Sequence, residues 1–411
     1  MSNDLAAALT IEKAHVDLRS TKTQMLLGVL LMLAAVVAAR WSLLGAGFTD
    51  SLDGDIVSMA QKSVAGSQSD AARLLQYSPL AGGLLIVEAF AWQDAPLPYH
   101  VVSLIVIMSC CVLVGLITME ITGLQGNRLG ASAAVWAGLL FAVHPLHSQV
   151  DMAVVANVEM LGALMYLAAL WAYLRYHLLR EPLYLWTSVA CFLLGLLSDL
   201  KSITLPLALL GAAFLLGSRR TAVAREGARP FRMALPHLVL LGLFCLGAPL
   251  LGDSRLATGA AELAEHVSSD WLASLVGPLS ILFPTSSEAA PDNWIGVLGT
   301  CGYVACFTIL LIRLWKQSAP AVPIAWSIFL LGVTCAPVAL IWTNSSAAER
   351  FFGLYPAAAF VCVLLSLSAL PALDAVNRRT AAILALCGVV ALCVLFAAWS
   401  MAFLAEARVV S

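Results

Sequence analysis

Three stretches of this chain run on without one charged side chain: Val101 to Met119, Phe351 to Leu373 and Ala381 to Leu404. An α-helix rises about 1.5 Å per residue, so each is long enough to cross a hydrocarbon core about 30 Å thick. Only 11% of the 411 residues are charged and 61% are hydrophobic. A soluble domain carries roughly 25% charged residues, so that class does not suit the chain. Twenty-two Lys and Arg against 24 Asp and Glu leave a net charge of −2, which offers nucleic acid no basic surface. Cysteines 110, 111, 191, 245, 301, 306, 335, 362, 387 and 393 show no metal-binding Cys-x-x-Cys spacing and read as small apolar residues.

Hydropathy predicts an all-α polytopic membrane protein of about eleven spans, near 25–45, 100–121, 131–146, 152–174, 183–199, 202–217, 233–251, 295–315, 323–342, 352–371 and 381–404. Residues 1–24 are polar and lead into an apolar run with no small-residue cleavage site, so the first helix is expected to be retained. If the N-terminus is cytoplasmic, fifteen of the 22 cations fall on the inner side, among them Lys13, Arg175, Arg180, Arg219, Arg220, Arg229 and Arg378. That bias is the positive-inside rule. The expected organisation is a cytoplasmic segment 1–24, a transmembrane domain 25–404 with long outer loops at about 46–99 and 252–294, and an outer tail 405–411.

The first outer loop carries Ile56, Met59, Ala60 and Val64 at helical spacing, the pattern of a helix on a membrane surface. Residues 271–284 are apolar but broken by Gly277 and Pro278, which suits a re-entrant piece. Trp41, Trp92, Trp271, Trp294 and Trp342 sit near outer span ends, where an aromatic belt belongs.

Ionisable groups are expensive near a bilayer, so their positions mark candidate function. Asp50, Asp53 and Asp55 follow the first span; closely spaced carboxylates supply a general base, a cation site or only a solvated helix cap. His144, His147 and Asp151 lie between the third and fourth spans, and Pro145 in a first turn would put His147 and Asp151 on one helix face. Two histidines alone do not make a zinc site. Asn157 and Glu159 are expected two turns inside the fourth span; Lys201 beside Asp199, and Glu349 with Arg350, lie at outer tips. Lys201 and Arg350 are cations able to hold a phosphate. Arg40 is expected to snorkel to the interface.

The stretch LLFAVHPLHSQVDMAVVANVEMLGALMYLAALWAYLRYH (139–177) resembles the signature of membrane O-mannosyltransferases that carry tetratricopeptide repeats, within the GT-C glycosyltransferase superfamily. YSPLAGGLLIVEAFAWQDAPLPYHVVSLI (77–105), LLSDLKSITLPLALL (196–210) and ERFFGLYP (349–356) resemble three further segments of that family, in the same order. The resemblance implies a GT-C fold, an active face outside the cytoplasm and a polyprenyl-phosphate-linked sugar as donor. It implies a first-loop acid as base, without choosing among Asp50, Asp53 and Asp55, and a phosphate held by cations such as Lys201 or Arg350. His144, His147, Asp151, Asn157, Glu159 and Glu349 would line the donor pocket. Membrane lipid and an unidentified acceptor are the other partners, and a divalent cation is left open as a cofactor.

The chain departs from the family at three places. Gln149 stands where the family has Glu, and Asn157 where it has Arg, although Glu159 keeps the acid. Ser198-Asp199-Leu200 replaces Ser-Lys-Glu, with the lysine displaced to Lys201. These changes motivate an alternative, a catalytically inactive scaffold or assembly subunit of a larger membrane complex. A transporter suits less, because the interrupted apolar segments do not recur at matching places in two halves.

The orientation is tested by topology reporters. Alkaline phosphatase fused after Arg73 should be active and after Arg225 inactive; the opposite pattern would invert the assigned faces.

Overall fold

The computed structural model describes residues 26–41, 51–123, 130–144, 157–217, 229–250, 321–341 and 355–369 as continuous segments, with residues 23, 44, 47, 48, 154 and 308 besides. All regular structure among them is helical. In chain order the helices are α1 (Leu26–Ala39), α2 (Ser51–Val64), α3 (Gln68–Tyr77), α4 (Pro79–Trp92), α5 (Pro96–Gly123), α6 (Gly130–Ala142), α7 (Asn157–Leu179) and α8 (Pro182–Ser198). A 3₁₀ turn, Leu200–Thr204, follows, then α9 (Leu205–Gly217), α10 (Arg229–Leu250), α11 (Ala321–Ile341) and α12 (Tyr355–Ala369).

Among the described residues one helical stretch, Pro96–Thr122 in α5, is both long and apolar enough to cross a membrane, and eight shorter apolar stretches accompany it. The segments around 252–294, 295–315 and 381–404 lie outside the described residues. Helices α5 and α6 pack closely, as do α5 and α7, and α7 and α8; α12 sits against α6, α7 and α11. The closeness comes from small residues. A Cβ on Gly138 would lie 2.9 Å from the Cys111 carbonyl oxygen, so only glycine lets α6 approach the α5 backbone this nearly.

Helix α12 (YPAAAFVCVLLSLSA) has no polar stripe, and a helix apolar on every side belongs in a core. From Ala357 to Leu367 each residue is at most 2% exposed. Trp326 of α11, Phe141, Tyr173, Phe192, Cys110 and Cys111 belong to the same buried cluster. Large apolar side chains instead point outward on α1 (Leu26, Leu30), α8 (Leu183, Trp186) and α10 (Leu243, Leu246). Water does not favour such a surface on a monomer, whereas lipid does.

The first predicted outer loop folds into α2, α3 and α4, which pack on one another. The helical spacing read for α2 holds, but its buried face is Val57 and Ala60, with Ile56 and Met59 half-buried and Val64 exposed. That face packs against its own neighbours rather than lying by itself on a membrane. Ser67 caps α3 and Ser78 caps α4, each accepting from a first-turn N–H. Ser78 Oγ also donates to the Ser198 carbonyl at 2.9 Å, which ties the layer to the end of α8.

Glu88 lies on the buried face of α4 beside Leu85 and Ala89, 2% exposed, and its Oε1 makes no hydrogen bond among the described residues. Burial pushes its carboxyl up to about 7. In the unfolded chain a Glu ionises near pH 4.3. Between that pH and about 7 the unfolded state holds fewer protons than the folded one, so stability falls as pH rises, and the loss is complete above about 7. The full loss is about 4 kcal/mol. Glu88→Gln should therefore stabilise the protein at pH 8 and flatten its melting temperature between pH 5 and 8. An unchanged pH profile would show that this carboxyl is not buried in solution.

Candidate active site

Helices α7 and α8 form an antiparallel hairpin turning at Arg180 and Glu181, where Arg180 adopts φ +62°. Twenty residues separate Leu179 from Glu159, about 30 Å of helix, and α8 with its cap covers a similar distance back. The hairpin thus returns Asp199 and Lys201 to the level of Glu159. Asp199 ends α8, its N–H donating to the Gly195 carbonyl at 2.8 Å, and starts the 3₁₀ turn, its Oδ1 accepting from the Lys201 N–H at 3.0 Å. The Lys201 ammonium then donates to Glu159 Oε2 and lies 3.5 Å from Asp199 Oδ2. Both carboxylates and the ammonium are mostly withdrawn from water, with side-chain exposures of 18% for Glu159, 11% for Asp199 and 18% for Lys201.

Two of the trio, Asp199 and Lys201, line a narrow crevice of about 240 Å³, counting the part that opens to solvent. Asp199, Lys201, Tyr166 and Thr204 line it with Thr334 of α11 and Pro356 of α12. Thr204 and Thr334 give their hydroxyl hydrogens to the Lys201 and Leu330 carbonyls, leaving oxygen lone pairs. Tyr166 is 3% exposed, and its hydroxyl makes no hydrogen bond of normal geometry among the described residues. Charge, hydroxyl donors and acceptors, and an apolar wall therefore meet in one crevice.

The structure places the sequence candidates unevenly. Glu159 and Lys201 come together as a contacting pair, with Asp199 as their third member. Asn157 is 7% exposed; its Oδ1 accepts from Ser103 Oγ of α5 at 2.7 Å, while Nδ2 makes no hydrogen bond among the described residues. Because α7 begins at Asn157, both Asn157 and Glu159 occupy its first turn and not a position two turns inside a span. Asparagine suits a helix start, where its amide competes for backbone groups. The apolar run from Met152 to Ala156 made the segment read as helical earlier than the described helix begins.

His144 is 1% exposed, directly after α6. Asp55 is exposed on α2, outside the crevice. Asp50, the side chain of Asp53, His147, Asp151, Glu349 and Arg350 lie outside the described residues. Arg40 does not snorkel: it is 3% exposed, and its Nη1 donates to the Ala142 carbonyl at 2.8 Å. A cation at the C-terminus of α6 meets carbonyls left without helical partners and the negative end of the helix dipole. Among the described residues no three His, Cys, Asp or Glu side chains group closely enough to hold a metal ion.

Tyr166 and Thr334 were not singled out from sequence. Tyr166 follows Glu159 by seven residues, two helical turns, so a face-by-face reading of α7 could have found it. Nothing local in the sequence brings Thr334 to the crevice. The opposite end of the bundle differs in kind: Arg175 Nη1 meets Glu120 Oε1 at 3.0 Å and stands 5.7 Å over the Tyr184 ring.

The chain is 29% identical over 211 residues to the protein O-mannosyl-transferase Tmtc1 of Drosophila melanogaster. The match takes in 48% of this chain and 23% of that relative, so the chain spans about a quarter of the relative's length. No family model and no solved structure matches the chain. The similarity is distant and partial, and it is of glycosyltransferase type.

Gly162 sets the spacing on which the trio depends, because a Cβ there would lie 2.6 Å from Asp199 Cβ. Gly162→Ala should push the end of α8 away from α7 and cost about 1–3 kcal/mol in melting experiments. A variant as stable as the parent would mean that the two helices do not approach this closely in solution.

Proposed function

We propose that the protein is a multi-pass membrane glycosyltransferase of GT-C type, moving a sugar from a polyprenyl-phosphate-linked donor to an acceptor outside the cytoplasm. The observation that carries this reading is the crevice at Lys201, which joins a half-buried cation, the Asp199 carboxylate and hydroxyls at the end of the bundle bearing the first-loop helices. The partial similarity to an O-mannosyl-transferase and the ordered motif resemblances support the same reaction class. The eleven spans, the bacterial inner membrane and the outward active face belong to the proposal too, on the charge bias of the loops.

In the proposed reaction a first-loop carboxylate, from Asp50, Asp53 or Asp55, takes the proton of the acceptor hydroxyl. The acceptor oxygen bonds to the anomeric carbon, and the bond from that carbon to the phosphate oxygen breaks. Its electron pair leaves with the polyprenyl phosphate, whose charge is stabilised by cations such as Lys201 or Arg350. Asp55, exposed on α2, is open to an approaching acceptor. Changing Asp50, Asp53 and Asp55 together to Asn should lower transfer of radiolabelled sugar from a polyprenyl-phosphate donor by at least 100-fold, with the melting temperature held. Undiminished transfer would remove these residues from the role of base.

One observation favours a second reading, an assembly subunit without catalysis: the Lys201 ammonium is already occupied by two carboxylates. On that reading the protein purifies in fixed ratio with other membrane subunits and binds no prenyl phosphate.

A further inference from the structure

Helix α4 has its polarity reversed for a helix in water. Its one charged side chain, Glu88, is 2% exposed on the inward face, while Val87 and Phe90 are 62% and 74% exposed on the outward face. The exposed residues of α4 are Val87, Phe90 and Ala91, and none has a hydrogen-bonding side chain. Its neighbours in the layer keep the ordinary arrangement, α2 exposing Asp55 and Lys62, and α3 exposing Gln68, Arg73 and Gln76. A surface helix turns its polar stripe to water, whereas an acid near lipid turns to the protein interior. Helices α2 and α3 follow the first pattern and α4 the second.

Both ends of α4 are fixed to the ends of other helices. At its start, Ser78 Oγ donates at 2.9 Å to the carbonyl of Ser198, the last residue of α8. At its end, only residues 93–95 separate Trp92 from Pro96, where α5 begins. The Tyr99 hydroxyl holds that corner by donating to the Gln93 carbonyl at 3.0 Å, and Trp92 packs edge-on against Tyr99 with ring centroids 5.8 Å apart. On the multi-pass topology proposed above, on which this inference rests, Ser198 and Pro96 are the outer ends of two spans. The 14 residues of α4, about 21 Å of helix, therefore run along the outer boundary of the bilayer. Trp92 and Tyr99 stand at the corner, where interfacial aromatic residues belong. Past it the apolar exposure continues down α5 at four-residue intervals, as Leu97, Val101 and Ile105.

We infer that the outward face of α4 rests in the outer leaflet, with Val87 and Phe90 among the upper acyl chains of phospholipid, and that this helix, not α2, carries the first-loop layer on the membrane. A protein partner suits the face less, because protein interfaces ring their apolar centre with hydrogen-bonding groups, and the exposed residues of α4 supply none. Since α2 packs on α4, Asp55 sits on a helix whose axis lies about 10 Å from that of the lipid-bound one.

The test replaces Phe90, Ile105 or Gln68, one at a time, by photoreactive benzoylphenylalanine in the full chain. Each variant is placed in nanodiscs of phosphatidylethanolamine and phosphatidylglycerol with radiolabelled acyl chains. Position 105 is the reference for a span and position 68, exposed on α3, the reference for water. After illumination, position 90 should take up lipid label about as much as position 105 and about fivefold more than position 68.

Label at 105 without label at 90 would overturn the inference and leave the membrane reading standing. Label at neither would sink both. Equal label at 68 and 90 would remove the assignment to α4, because the whole layer would then be immersed. An adduct of position 90 with a second copy of the chain, seen as a doubled mass, or with a copurified subunit would overturn lipid as the occupant.

Discussion

The Lys201 ammonium between Glu159 and Asp199 is the contact through which fold and chemistry meet. It links the first turn of α7 to the cap of α8, and Asp199 and Lys201 line the crevice. Burying three charged groups carries a desolvation cost that their attraction only partly returns, so the trio is poor evidence for stability as such. Removing one member is a different matter, since the others are then left buried and uncompensated, at about 3–5 kcal/mol. Such an arrangement specifies how the hairpin end is put together more than how tightly it is held. Gly162 belongs to it, because the absent Cβ is what lets Asp199 approach.

Around this polar end the rest is apolar packing. Helix α12, buried on all sides from Ala357 to Leu367, supplies a centre against which α6, α7 and α11 rest. Some polar groups inside the bundle find partners close at hand: Ser188 Oγ donates to the Ala169 carbonyl at 2.7 Å and meets His237 Nε2 at 2.9 Å. With the serine hydrogen committed to that carbonyl, Nε2 is the ring nitrogen that donates. Both ends of the bundle carry an ion pair, Lys201 with Glu159 at one and Arg175 with Glu120 at the other, and the Lys201 end opens on a crevice with hydroxyls.

Much of the helical layout was legible, because a run such as Val101 to Met119 has few alternatives to a helix. The pairing of Glu159 with Lys201 was not, although both were singled out. They are 42 positions apart, and only the length of the α7–α8 hairpin brings them together. Arg40 failed for a related reason: its place near a span end suggested the interface, and nothing local reveals that the last carbonyls of α6 lie beside it. The depth of Asn157 failed because hydropathy reads apolar content and not where a helix begins. The relation of the first-loop acids to the crevice is not a local property of the sequence.

The departures from the O-mannosyltransferase pattern look different once the turn at Lys201 is in view. The resemblance leads to Ser-Lys-Glu, and the chain has Ser198-Asp199-Leu200-Lys201, so acid and cation exchange order over three positions. In a 3₁₀ turn each residue rises about 2 Å, so displacing a lysine by two positions moves its Cα about 4 Å along the axis. That is less than the reach of a flexible four-carbon stem. The ammonium can therefore serve the same locality from either position, provided that a carboxylate stands nearby to receive it. Asp199 as cap of α8 and Glu159 across the hairpin meet that condition. The exchange of order thus preserves one cation and one local acid, and what changes is the added pairing to Glu159, which leaves the crevice more acidic than the cation alone would make it.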